Sequence, residues 1–247
     1  MRQHIPTVII TGASGGIGRA LAARFAEGGF RLLLTAHKSA ALLRPFAERL
    51  SAEANVPVRV FEADLSSPDE VRRLMREILA EDDSPDVLIN NAGTALVRLV
   101  QDTTEEEFDR VMNLNFKAAF LCSQAVIPPM VRRKSGCILN ISSVWGENGA
   151  SMESVYSASK GALNAFTKSL AKELAPSGIR VNALSLGVFD TPMNDCFSSE
   201  EKAALAEEIP LGRFGTPEEA ARIAWFLSSA ESSYITGQIL RADGSWQ

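Results

Sequence analysis

Thr7-Val8-Ile9-Ile10-Thr11-Gly12-Ala13-Ser14-Gly15-Gly16-Ile17-Gly18 is the stretch that decides the fold. Its first half is an unbroken run of β-branched and apolar residues, the pattern of a strand buried on both faces. Its second half is rich in glycine and runs straight into Ile17–Glu27. There Ile17, Leu21 and Phe25 recur at helical spacing. A strand that turns through glycines into a helix leaves bare backbone N–H groups at the positive end of that helix. Glycine permits the tight turn and a close approach to the main chain, and a pyrophosphate is the kind of anion such an end attracts. The spacing is GxxxGxG rather than the commoner GxGxxG.

Outward from this stretch the chain repeats the same alternation. Further β-rich runs stand at Arg31–Thr35, Val58–Phe61, Val87–Ile89, Cys137–Ile141, Ile179–Ser185 and Gln238–Arg241, with helical patterns between them. Thr104-Glu105-Glu106-Glu107 has the form of a capping box. Its three glutamates read as a helix start complementing the dipole rather than as a catalytic cluster. Strand, helix, strand, repeated, predicts right-handed crossovers and a parallel sheet. The expected fold class is α/β: a single-domain Rossmann fold over residues 1–247, with a doubly wound seven-stranded parallel sheet and helices on both faces. Its ligand is expected beyond the carboxyl ends of the strands, near the switch in strand order.

Composition narrows the function. The chain has 247 residues, of which 46% are hydrophobic and 22% charged, so it needs no disulfide or metal staple to bury a core. A net charge of −5, with 25 basic against 30 acidic residues, argues against nucleic acid as a partner. Cys122, Cys137 and Cys196 are far apart and form no CxxC, which suits free thiols in a reducing cytoplasm. His4 and His37 are the only histidines, too few for a His-rich metal site; a carboxylate-only site is left open but nothing suggests one, so no metal is expected. No apolar run is long enough for a membrane span, and the first residues reach glycine too soon for a secretory signal. The expectation is a cytoplasmic protein with no membrane contact.

Several further stretches carry chemistry. Leu34-Thr35-Ala36-His37-Lys38 ends the second strand, where dinucleotide folds face the adenosine ribose. An acid there would bind a 2′-hydroxyl; Ala36 is not one, and His37 and Lys38 follow. This favours NADP(H) over NAD(H), unless Lys38 merely opens the next helix in solvent. Asp64, followed by Leu65, suits either an adenine amino group or a turn cap. Asn90-Asn91-Ala92-Gly93 sets two amides and a glycine at the end of the fourth strand. Tyr156-Ser157-Ala158-Ser159-Lys160 places Tyr156 and Lys160 on one helix face. A free tyrosine with a pKa near 10 is a poor base, but an ammonium about 4 Å away is worth roughly 4 kcal/mol at an effective dielectric of 20. The phenol is therefore expected to be lowered, by at most about three pKa units, towards a value useful for proton exchange with an alcohol or ketone. Ser143, just after the fifth strand, is placed to polarise the same oxygen.

TGASGGIG, NNAG, the serine after ILNISS, and YSASK, in this order and spacing, resemble the short-chain dehydrogenase/reductase family over essentially the whole chain. The resemblance implies roles by position. Gly12, Gly16 and Gly18 lie over the pyrophosphate, with Ser14 and Ile17 beside them, and Asp64 lies near adenine. Asn91, with Ala92 and Gly93 beside it, supports the central strands and the cofactor ribose. Asn115 holds a water of a proton relay. Ser143 polarises the substrate, Tyr156 is the acid/base, and Lys160 binds the nicotinamide ribose and tunes the tyrosine. Ser142 stands one position too far from Tyr156. Val188 and Thr191 face the carboxamide side of the nicotinamide. The usual Pro-Gly after the sixth strand is here Leu186-Gly187, which puts the rigidity of that loop in doubt. The second glycine common after Asp243-Gly244 is Ser245, with Trp246 next.

The implied activity is NADPH-dependent reduction of a ketone. The text most resembles reductases of 3-oxoacyl groups on acyl carrier protein. SSVWGENGAS and EEIPLGRFGTPEEAA resemble a subgroup that includes a reductase of the 5-aminopentanone group on elongation factor P. A cationic amine would meet Glu147, Glu153 or Trp145; an acidic carrier would prefer Arg132-Arg133-Lys134, unless that triplet only complements a helix end. A substrate lid is expected around 187–212, where Met193, Cys196, Phe197, Leu205 and Ile209 make either a lid or an ordinary surface helix. The family is usually tetrameric through two long helices, here Thr104–Arg133 and Ser154–Ala175. A dinucleotide-sensing regulator without catalysis is the alternative of another class.

Overall fold

The computed structural model describes residues 5–81, 85–194 and 197–247. The glycine-rich stretch opens a βα unit, β1 (Thr7–Ile10) and α1 (Gly16–Glu27), and the chain repeats it: β2 (Arg31–Ala36), α2 (Ala40–Ala54), β3 (Val58–Glu62), α3 (Pro68–Glu81), β4 (Val87–Asn90). Next come α4 (Glu105–Met112), a π-turn (Asn113–Lys117), α5 (Ala118–Arg133), β5 (Gly136–Ser143), a short α6 (Trp145–Asn148) and α7 (Ser154–Leu174). The chain continues through β6 (Ile179–Leu186), α8 (Ser199–Glu208), α9 (Pro217–Ser228) and β7 (Ile239–Ala242). The sequence pattern located every strand to within about two residues. β5 runs further than expected, because its parallel pairing with β6 extends to Ser143 opposite Leu186. Ser143 therefore ends the strand instead of following it.

Among the described residues all strands join one parallel sheet in the order β3-β2-β1-β4-β5-β6-β7. Period-two alternation divides the side chains between two cores. Val8, Ile10, Leu32, Leu34 and Leu139 pack with α1, α2 and α9 on one face. Ile9, Leu33, Leu88, Ile138 and Val181 pack with α3, α5 and α7 on the other. The strands read as continuous apolar runs because both of their faces are covered. This is a doubly wound Rossmann arrangement, and strand order reverses between β1 and β4. In open α/β sheets of this kind the ligand crevice lies outside the carboxyl ends of the strands at such a switch point.

Helix starts follow the sequence signals. Thr104 and Glu107 form the expected capping box, with the Glu107 N–H to the Thr104 hydroxyl at 3.2 Å and the Thr104 N–H to the Glu107 carboxylate at 3.1 Å. The expected long helix over 104–133 is not continuous α-helix. The π-turn at Asn113–Lys117 separates α4 from α5, and Asn115 sits inside it.

Candidate active site

The site begins at the crevice. Gly12 has φ +64°, and a Cβ there would lie 2.8 Å from the Ala92 Cα. Only glycine accepts both the left-handed backbone and that contact. The Thr11 hydroxyl accepts the N–H groups of Asn91 at 2.9 Å and Ala92 at 3.0 Å. In return, the Asn91 amide donates to the carbonyls of Thr11 at 2.9 Å and Gly12 at 3.1 Å. The loops after β1 and β4 are thus clamped across the switch point. At Gly18 a Cβ would meet the Gly12 carbonyl at 2.4 Å, so α1 sits directly on the loop. At Gly16 a Cβ would meet the Thr191 methyl at 3.1 Å, which brings the segment after β6 over the same opening. Ser14 and Ile17 flank it, and Ile17 also packs partly into the core.

The start of α1 differs from those of α4, α8 and α9, and like α2, α5 and α7 it lacks both a side-chain cap and a first-turn acid. α4, α8 and α9 each have a capping box and first-turn acids. α1 begins at Gly15 with no side-chain cap and no acid in its first turn. Its unclaimed N–H groups and bare glycines form a cradle that an added Cβ would fill. That donor set fits the pyrophosphate of a dinucleotide.

At the adenosine end, His37 and Lys38 are exposed just past β2. The Ser39 hydroxyl donates to Ser14 Oγ at 2.7 Å and ties this end to the glycine loop. Asp64 takes the turn-capping role: its Oδ1 accepts the Ser66 N–H at 2.9 Å and the Ser66 hydroxyl at 2.7 Å. Burial pushes its carboxyl up, but the Ser66 hydrogen bonds and nearby His37 and Lys38 outweigh burial and leave it below the usual value. Leu65 is buried in the second core.

At the other end, β5 presents two serines to opposite sides. Ser142 Oγ donates to Asn164 Oδ1 at 2.7 Å inside the core. Ser143 faces Tyr156, and its Oγ accepts the Trp145 N–H at 3.2 Å. Tyr156 and Lys160 share a face of α7, with Lys160 Nζ 5.7 Å from the Tyr156 ring centroid. Lys160 is 4% exposed, and its ammonium donates to the Ile141 carbonyl at 2.9 Å. Burial draws Lys160 down to about 8.

The phenol corrects an expectation. Burial pushes Tyr156 up to about 12; the Ser143 hydroxyl pulls it back, and Glu153 pushes it further up. The sequence argument placed an ammonium against the phenolate. In the fold that ammonium points to a strand carbonyl, so desolvation of the phenol wins.

Asn115 is locked in the π-turn. Its side chain pairs twice with the Thr94 backbone, at 2.9 Å each way, and donates to Ser159 Oγ at 3.0 Å. Ser159 in turn donates to the Tyr156 carbonyl at 2.6 Å. A Cβ on Gly93 would stand 3.3 Å from Asn115 Oδ1 and 3.4 Å from Lys160 Nζ. Gly93, Asn115 and Lys160 therefore meet behind the tyrosine. Beyond β6, the rigidity a proline would have given comes from hydrogen bonds. Val144 N–H donates to the Leu186 carbonyl at 3.0 Å, Gly187 N–H to Ala242 at 3.0 Å, and Gly215 N–H to Val188 at 3.0 Å.

The family model described as enoyl-(acyl carrier protein) reductase matches residues 12–246. The chain belongs to the short-chain dehydrogenase/reductase family. It is 41% identical over 240 residues to the uncharacterized oxidoreductase YmfI of Bacillus subtilis, covering 97% of this chain and 98% of that protein. It is 37% identical over 238 residues to the 3-oxoacyl-[acyl-carrier-protein] reductase FabG of Staphylococcus aureus, covering 96% of each. A short-chain type dehydrogenase/reductase from Mycobacterium marinum superposes with a TM-score of 0.90 at 34% identity, covering 98% of this chain and 95% of the other. As a short-chain dehydrogenase/reductase the protein is an oxidoreductase, of a family that binds nicotinamide dinucleotides.

Within this family member the fold brings together Gly12, Gly16, Gly18, Asn91, Gly93, Asn115, Ser143, Tyr156 and Lys160 at one end of the sheet. It sets other residues apart. Glu147 is committed to the Ser185 hydroxyl at 2.6 Å and Arg241 at 3.1 Å, so it is no free anion for an amine. Arg133 bonds the Pro85 carbonyl at 2.9 Å and pairs with Asp86 at 3.3 Å, at the amino ends of the strands. The basic triplet thus lies opposite Tyr156, as a helix end does when it complements its dipole. Cys196 lies outside the described residues. Sequence reading missed Thr11, Ser39, Thr94 and Ser159, whose roles are hydrogen bonds to partners distant in the chain. Only Thr11 carried a signal, its position directly before Gly12. Among the described residues no helix is long and apolar enough to cross a membrane.

Proposed function

We propose that the protein reduces a ketone to a secondary alcohol with NADPH, and that the ketone is a 3-oxoacyl thioester on a carrier. The observation that carries this reading is the half-buried Tyr156 phenol facing the Ser143 hydroxyl. With a pKa of about 12 the phenol holds its proton at neutral pH, the state an acid needs for reduction. The bound dinucleotide supplies the hydride. Ser143 donates a hydrogen bond to the carbonyl oxygen, and Tyr156 delivers its proton there as negative charge develops. Lys160 and Asn115 stand behind Tyr156, on the side from which the proton is replaced. The cradle at Gly12, Gly16 and Gly18 holds the pyrophosphate, Asn91 supports it, and Val188 and Thr191 face the nicotinamide end.

Lys38, His37 and the Ser14–Ser39 hydroxyl pair support NADPH over NADH, since they offer positive charge and donors with no acid at Ala36. Residues 187–212 serve as the substrate lid; no residue of α8 is buried, which suits an element that moves. Exposed Phe108, Phe120 and Val131 on α4 and α5 support a homotetramer. Buried free thiols at Cys122 and Cys137 support a cytoplasmic setting.

One observation favours a second substrate. The carboxylate of Glu153, partly buried and close enough to act on Tyr156, has no partner among the described residues, and burial raises its pKa. A ketone bearing an ammonium, such as the 5-aminopentanone group of elongation factor P, would neutralise it.

The test is oxidation of NADPH and of NADH with an acetoacetyl thioester and with an aminoketone, on wild type and Tyr156→Phe. NADPH turnover that falls roughly 10²–10⁴-fold in the variant supports the reading. Full activity in Tyr156→Phe refutes the acid. Tight NADPH binding with no turnover of either ketone returns the regulator.

A further inference from the structure

The segment after β7 holds three walls of the proposed cleft together. Asp243 organises it: its carboxylate accepts the N–H groups of Ser245 at 2.9 Å and Gln247 at 3.1 Å. The same residue packs on the strand exit, where a Cβ on Gly187 would lie 2.6 Å from the Asp243 Cβ. Gly244 touches the end of the proposed lid, accepting the Leu211 N–H at 3.3 Å and lying against Ile209. The third wall is α6. Asn148 donates to the Gln247 side chain at 3.3 Å, and Arg241 bridges the Gln247 carbonyl and the Glu147 carboxylate.

The centre of this contact is aromatic. The Trp145 and Trp246 rings meet edge to face, with centroids 5.0 Å apart and planes at 62°. Trp145 is also the residue whose N–H fixes Ser143 Oγ at 3.2 Å. α6 has a single turn and no side-chain cap, so little of its own structure holds it in place. A line of direct contacts therefore runs from the Trp246 indole to the Trp145 indole, through the Trp145 backbone, to the Ser143 hydroxyl that faces Tyr156.

We propose that Trp246 is a positioning residue: by clamping Trp145 it sets the Ser143 hydroxyl against the carbonyl oxygen of the substrate. The inference rests on the reductase reading above, and it assigns to the segment after β7 a part in the chemistry rather than in the sheet alone. An edge-to-face aromatic pair holds a preferred geometry, so an aliphatic replacement loosens the Trp145 end of α6, although Glu147 stays tied to Ser185 and Arg241, while phenylalanine keeps the clamp.

The test compares wild type, Trp246→Ala and Trp246→Phe, alone and combined with Ser143→Ala. In the wild-type background Trp246→Ala lowers kcat on the order of tenfold, the scale of a sub-ångström displacement of an aligned group. The KM for NADPH stays unchanged, and Trp246→Phe restores most of the loss. In the Ser143→Ala background Trp246→Ala has no further effect, because the residue acts through that hydroxyl. Hydrogen exchange of the 143–150 amides gives a readout independent of turnover, and Trp246→Ala should speed it there. Unchanged kcat and exchange in Trp246→Ala, or an equal loss of kcat in both backgrounds, overturns the proposal. If the wild type reduces no ketone, the reductase reading fails on its own, and exchange of the 143–150 amides alone decides the clamp. If Trp246→Ala does not fold, Trp246→Leu carries the same comparison.

Discussion

Replacing Lys160 with methionine should make the protein inactive and, at neutral pH, more stable. The ammonium is almost fully buried and keeps one hydrogen bond, to the Ile141 carbonyl at 2.9 Å. Burial draws its pKa from 10.5 to about 8. Below pH 8 the side chain is protonated in the folded and unfolded states alike, and the folded state carries the whole penalty, about 3 kcal/mol. Between about 8 and 10.5 the folded protein gives up its proton first. The unfolded state then binds more protons, so wild-type stability rises with pH across that window. Methionine fills the volume without a charge but strands the Ile141 carbonyl, at a cost of about 1–2 kcal/mol. The net expectation is a gain of about 1–2 kcal/mol near pH 7.

The pH dependence is the sharper quantity, because the lost hydrogen bond contributes equally at both ends. By about pH 9.5 roughly 2 kcal/mol of the wild-type penalty is relieved, so the variant's advantage should shrink by that much. Urea denaturation followed by circular dichroism, at matched protein concentration and with matched m-values, measures it. Staying below pH 10 avoids the tyrosine. Tyr156 is raised to about 12 from 10, so its contribution to stability is complete below pH 10 and is lost as pH rises towards 12. A stability difference that is the same at about pH 7 and about pH 9.5 would show that Lys160 is not held against its charge, and the reasoning would fall.

Two other outcomes follow from the packing. Gly18→Ala puts a Cβ 2.4 Å from the Gly12 carbonyl, so the loop must shift; a loss of about 1–3 kcal/mol in urea melts and weakened NADPH binding by fluorescence titration are expected. Asn140→Ala removes the link between the Asn90 amide at 2.8 Å and the Thr167 hydroxyl at 2.8 Å, and should cost about 2–4 kcal/mol; an unchanged urea midpoint would show the seam is not needed.

The sequence was enough for whatever depends on near neighbours. Buried strands are continuous apolar runs, helices show their period, and Thr104 with Glu107 caps α4 through contacts three residues apart. The glycines of the first turn were readable because a bare cradle needs no partner to be recognised. Tyr156 and Lys160 were readable because one helix turn separates them. Strand order was not local, yet alternating βα units leave few ways to lay a parallel sheet.

What only the tertiary structure decided concerns partners far apart in the chain. Asp64 caps Ser66, Glu147 is spent on Ser185 and Arg241, and Arg133 sits at the far end of the sheet. Trp246 meets Trp145 only because β7 lies beside β6 and directs the chain back over α6. The direction of the Tyr156 shift is the clearest case. Sequence places an ammonium on the phenol's helix face, but the sign depends on where that ammonium points and how much water the phenol keeps. Both are properties of the packed interior, where desolvation and charge compete over a few ångströms.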